Sequence, residues 1–172
     1  ALTKSRAYTN CLKAVPSALP LQAVYCWQPT LAARAAQLCA RESFDAIHIE
    51  HLRGVQYARF LRDSHPQQTL PILWDSVDNI SHLFRQAAAN EKSALKRTLR
   101  SLELRRTEKF EAGLCRELDC ITVTSPLDRG AFEELARRFS MPLKASLHVV
   151  PNGTDLDYFS PDPTAVREAK TL

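Results

Sequence analysis

Most of the residues able to do chemistry fall into four short clusters, each directly after an apolar run. Glu50, His51 and Arg53 follow Asp45–Ile49; Asp75, Ser76 and Asp78 follow Pro71–Trp74. Thr124, Ser125, Asp128 and Arg129 close the run that starts at Asp119; Asn152, Gly153 and Asp155 follow Leu147–Val150. A carboxylate at a strand end accepts a proton from, or orients, a hydroxyl group, so Asp75 is the candidate catalytic residue. Arg53 and Arg129 suit a phosphate, which a guanidinium grips in bidentate fashion. His51, in the loop after its strand, is a further ligand candidate, as are Ser76, Asp78 and Ser125. Pro151-Asn152-Gly153 stops a strand: Pro lacks a ladder N–H, and Asn-Gly tolerates positive φ. Such a turn presents backbone amides at a sheet edge.

The same residue types also cap helices. Ser125 followed by Pro126 is a strong helix start, and Asp78 reads first as the N-cap of the long helix behind it. His48, inside an apolar run, reads as a core histidine. His48 and His51 point to opposite faces of a strand, and no C-x-x-C occurs, so no metal site is expected. Neither G-x-G-x-x-G nor G-x-x-x-x-G-K-[ST] occurs among the four glycines, which excludes the usual dinucleotide and P-loop cradles.

Apolar periodicity assigns the elements that must position these clusters. Residues 5–14 read as a short helix, Leu21–Tyr25 as a strand, and Pro29 to about Glu42 as a helix. The run 45–49 reads as a strand, Leu52–Arg62 as a helix, and Pro71–Trp74 as a strand. A long helix or helix pair spans about 78–114. Asp119–Thr124 is a strand, Pro126–Phe139 a helix, and Leu147–Val150 the last strand. This alternation calls for an α/β, Rossmann-like open parallel sheet flanked by helices on both faces. Right-handed crossovers bring every strand's carboxyl end to one rim, where ligands bind in open α/β sheets. Residues 1–160 form one unit, and the polar stretch 161–172 reads as a linker.

Composition narrows the class. The chain has 172 residues, 45% hydrophobic, with a net charge of +4, enough for a real core and too weakly basic for a dedicated nucleic-acid binder. The five cysteines are odd in number and read as reduced, mostly buried thiols of a cytoplasmic protein. No run of about 18 apolar residues exists, so no span is expected. The long helix carries Arg85, Lys92, Lys96, Arg97, Arg100, Arg105, Arg106 and Lys109. That is a solvated face or a peripheral contact with anionic lipid.

Taken together, FDAIHIEHLRG, PILWDSVDNIS, LELRRTEKFE, DCITVTSPLDR and HVVPNGTDLDYF resemble the N-terminal, acceptor-side domain of GT-B glycosyltransferases of family 4 (group 1). The last string is the most specific. The resemblance implies a retaining enzyme that moves a sugar from a nucleotide-sugar donor to a glycan or lipid-linked acceptor. It implies exopolysaccharide-type relatives and no obligatory metal. In that family the strand ending here at Asp75 often ends in His, a departure that separates this chain from the usual pattern. The family's first strand with its glycine-rich loop, and the donor-binding domain with its E-x₇-E, have no counterpart in these residues. The chain therefore reads as a fragment of the acceptor-side domain, inactive alone, with no cofactor of its own. A stand-alone flavodoxin-like binding or regulatory module is the alternative, and a GT-B sugar-nucleotide epimerase also stays open.

Overall fold

The structure, a computed structural model, describes residues 2–65, 70–89 and 93–160. The linker expected at 161–172 lies outside them, as does Lys92 of the long basic stretch. Four parallel strands, β1 (Ile47–Glu50), β2 (Ile72–Val77), β3 (Cys120–Val123) and β4 (Ser146–Val149), stand side by side in chain order. The helices are α1 (Lys4–Ala14), α2 (Leu21–Tyr25), α3 (Pro29–Arg41), α4 (His51–Ser64), α5 (Ile80–Ala89), α6 (Ala94–Glu117) and α7 (Pro126–Arg138). This is an α/β, Rossmann-like arrangement. No helix among the described residues is long and apolar enough to cross a membrane.

The strand order has a consequence for the layers. Each right-handed crossover steps one strand further in the same direction, so the connecting helices fall on one face of the sheet. Burial follows: Ile49, Ile72, Trp74, Ile121 and Val123 form the core with Leu52 and Val55 of α4, Leu114 of α6 and Phe132 of α7. Trp74 and Phe132 meet edge to face, 5.5 Å between ring centres. The opposite strand positions, His48, Glu50, Asp75, Thr122 and His148, are half-buried or exposed. Helices on both faces were expected; among the described residues they cover one.

Contacts among the helices account for further features of the fold. Leu52, Val55, Ala58 and Leu61 of α4 are buried, whereas Tyr57 and Phe60 stack on Trp27 at 5.1 and 5.7 Å. Tyr57 Oη donates to Cys26 O and accepts from Gln28 N–H, which fixes the α2–α3 corner on α4. Leu21–Tyr25, expected as a strand, is helical. Five residues after a Pro are too few for periodicity to decide. Here Glu103 of α6 accepts from Leu21 N–H, and Ala23 is fully buried. The long stretch expected over 78–114 divides into α5 and α6. Of the five cysteines, expected to be mostly buried, only Cys115 is so, because the other four lie at the margins of the helical layer and on the open face.

Candidate functional site

At the carboxyl end of β1 the chain passes into α4 with no loop, so His51 and Arg53 lie in the first helical turn rather than in a loop. Gly54 permits this: a Cβ there would stand 2.8 Å from Ile49 Cγ2. His51 takes φ 59°, uncommon for a residue with a side chain. Its imidazole is 3.7 Å from Glu50. Arg53 donates to Gln22 Oε1 at 3.4 Å and lies over the Tyr25 ring at 5.5 Å. A cleft of about 320 Å³ opens there, lined by Gln22, His51, Leu52, Arg53 and Ile80.

β2 runs further than its apolar run implies. Asp75 and Ser76 lie inside the strand, not beyond it, because Asp75 pairs with Thr122 and Val77 with Val123 across the ladder. Ser76 faces the core, almost fully buried, and donates to Asp78 O, so it does not reach the rim. Val77 ends the strand at φ 62°, a strained conformation for a β-branched residue. Its carbonyl accepts from both Thr124 N–H and Thr124 Oγ1–H, at 2.9 and 3.0 Å. The next helix is capped by Asn79, not Asp78: Asn79 Oδ1 accepts from His82 N–H at 2.8 Å.

Two buried carboxylates of α6 hold that corner. Glu111, fully buried, accepts from Ile80 N–H at 3.0 Å and Ser81 N–H at 3.2 Å. Burial pushes its carboxyl up to about 7, against the pull of the Ser81 and Ile80 donors. The amino end of α5 is therefore already occupied by an internal carboxylate. One turn earlier, burial opposes ionisation of Glu108, but Arg138 and Arg85 outweigh it and hold its carboxyl below the usual range. Ser125 caps α7 as its spacing implies, accepting from Asp128 N–H. Asp128 in turn accepts from Asn79 N–H at 3.1 Å, bracing one rim turn against the next. Arg129 pairs with Glu133 one helical turn on. Asn152 and Gly153 are exposed beyond β4. No glycine has positive φ, so the Asn-Gly turn expected there passes the corner in ordinary backbone conformations.

The open face of the sheet carries a second polar group. Register aligns Glu50, Asp75, Thr122 and His148, one from each strand. Asp75 is its centre. Its Oδ1 accepts from Thr122 Oγ1–H at 3.0 Å and Val77 N–H at 3.3 Å, and Oδ2 is 3.9 Å from His48 Nε2. His48 is thus no core histidine; its side chain is 61% exposed. A carboxylate fixed by a hydroxyl and a backbone amide, with an imidazole alongside, binds and orients hydroxyl groups. Cys120 shares this face but stands two strands from His48, about 10 Å away, too far for a thiol–imidazole pair. Among the described residues no group of three or more potential ligands is placed to hold a metal ion.

The structure thus brings His51 and Arg53 to one cleft and sets Asp75 on the adjoining sheet face. It turns Ser76 inward and engages Ser125 in capping. Thr122, His48 and His148 were not picked out as site residues. The signal was there: they share strand parity with Glu50 and Asp75, and polar residues recur at that parity in all four strands. No family model, curated protein or solved structure matches this chain.

Proposed function

We propose that this chain is the acceptor-side part of a retaining GT-B glycosyltransferase of the family 4 type. One observation carries the reading. The strings FDAIHIEHLRG, PILWDSVDNIS, DCITVTSPLDR and HVVPNGTDLDYF each span the carboxyl end of one strand, and those strands are neighbours in that order. Polar residues suited to sugar hydroxyls and phosphate therefore gather along one edge and the adjoining face. In this reading Asp75 orients an acceptor hydroxyl, with Thr122 and Val77 N–H fixing its carboxylate. His51 and Arg53 line the cleft for the acceptor's polar groups, and Asn152 and Gly153 stand beyond β4 at the opposite edge of the sheet. The acceptor is a glycan or a lipid-linked sugar. The role assigned to these residues is acceptor binding, and none of them is assigned to the nucleotide-sugar donor. A receiver-type module fits less well: it phosphorylates an Asp at a strand end, and Asp75 sits two residues inside β2 with Oδ1 already engaged.

Saturation-transfer NMR with mono- and disaccharides, nucleotide sugars and FMN tests this. Saccharide binding in the millimolar range, lost in Asp75→Asn, is the expected result. Binding of FMN, or phosphorylation of Asp75 by acetyl phosphate, would replace the proposal with the module reading. No saccharide binding at all would remove it.

A further inference from the structure

The amino-terminal half of α6 carries a feature that the sheet edge does not explain. Residues 93–102 are exposed all round, yet Leu95, Leu99 and Leu102 sit among them at 72%, 60% and 52% exposure. Their spacing of i, i+4, i+7 confines them to an arc of about 60° on the helix. Apolar residues scattered singly on a surface need no explanation, but an aligned stripe does. α1 repeats the pattern: Tyr8, Leu12 and Val15, again i, i+4, i+7, are all more than half exposed, while Ala7 and Ala14 turn another face inward. The chain just after α1 is tied to α6. Arg106 donates to Val15 O at 2.7 Å, and Glu103 holds the amino end of α2, just after α1.

Charge is concentrated at the same place. α1 holds Lys4, Arg6 and Lys13 and no acidic residue. Residues 94–106 hold Lys96, Arg97, Arg100, Arg105 and Arg106 against Glu103 alone. That is a net +7 in a chain whose total is +4, so the remainder is net acidic. Lys96 and Arg100 flank the leucine stripe on one side and Arg105 on the other, by helical angle. An aligned apolar stripe bordered by cations is the pattern of a helix lying in a bilayer interface. The leucines sink to the acyl boundary, and the basic residues meet anionic headgroups. Nucleic acid would use the cations but leave the leucines in water. A second copy would use the leucines but oppose +7 to +7.

We propose that α1 and the amino-terminal half of α6 form one docking surface for an anionic lipid bilayer. The proposal does not depend on the glycan-binding reading, since none of its residues lines the cleft or faces Asp75.

Co-sedimentation of the chain with mixed phosphatidylglycerol–phosphatidylcholine vesicles tests it, with pure phosphatidylcholine vesicles alongside. Binding to the anionic vesicles only, weakened by salt, is expected. Leu95→Ser/Leu99→Ser/Leu102→Ser should lower the partition coefficient by about tenfold per leucine. Lys96→Gln/Arg105→Gln should lower it by about fivefold per charge. Both sets of residues are exposed, and circular dichroism checks that the variants fold. Failure to bind anionic vesicles overturns the proposal, as does binding unaffected by the leucine changes. Tighter binding to a DNA duplex by fluorescence anisotropy would transfer the surface to nucleic acid. A dimer in sedimentation velocity that the leucine changes dissolve would assign it to self-association.

Discussion

Replacing Glu111 by Gln should change how stability depends on pH more than it changes stability at any one pH. Glu111 is fully buried and accepts two backbone N–H groups from the amino end of α5. Burial raises its carboxyl from 4.5 to about 7, so between those values the folded chain holds a proton that the unfolded chain has released. Stability must fall wherever the folded state binds more protons as pH rises. The contribution of Glu111 is thus fully present below about pH 4.5, declines through the window up to about pH 7, and is flat above it. At about 1.4 kcal/mol per pH unit, the whole decline is about 3 kcal/mol. Gln keeps one acceptor oxygen but does not titrate, and it sets an amide N–H₂ against a backbone donor, a cost of about 1–3 kcal/mol that is independent of pH. Urea unfolding followed by circular dichroism, for both proteins from about pH 4 to about pH 8, isolates the effect. Titration of groups not coupled to Glu111, Glu103 among them, is common to both and cancels in the difference. The wild-type advantage over Glu111→Gln should shrink by about 3 kcal/mol across that range. Stability curves that run parallel would refute the reasoning, because they would mean that Glu111 ionises in the folded protein as it does in the unfolded chain.

Gly54→Ala should destabilise the fold by about 1–3 kcal/mol, read as a lower urea midpoint. The new Cβ would meet Ile49 Cγ2 at 2.8 Å, and that methyl branches directly from a packed strand. An unchanged midpoint would mean that β1 and α4 can part without cost. Cys115 should resist thiol reagents in the native protein: burial, with Glu111 nearby, pushes its thiol up to about 12. Mass spectrometry after brief alkylation should find the half-buried Cys11, Cys26, Cys39 and Cys120 modified first, and Cys115 only in denaturant. Native labelling of Cys115 at the same rate would show that the α6 layer opens readily.

Much of the fold was legible in the chain itself. Apolar runs of four to six residues alternating with longer amphipathic stretches specify parallel strands with helical crossovers, because each pattern buries only in its own secondary structure. Ser125-Pro126 named its helix start for a local reason, a hydroxyl placed to take the Asp128 N–H. The placing of polar residues at or near the carboxyl ends of the strands likewise follows from topology.

What tertiary structure decided is of another kind. Leu21–Tyr25 became helical through Glu103, 82 residues away in sequence, which no local pattern contains. β2 continued past Trp74 because Thr122 of the neighbouring strand satisfies Asp75, turning a presumed rim residue into the centre of the sheet's open face. His48 reads as a core residue from its apolar neighbours Ile47 and Ile49, yet strand alternation sends it to the opposite side. Which of the two faces the helices cover is set by the order of strands and the hand of the crossovers. Periodicity records that a strand has two faces; only the assembled sheet determines which of them meets water.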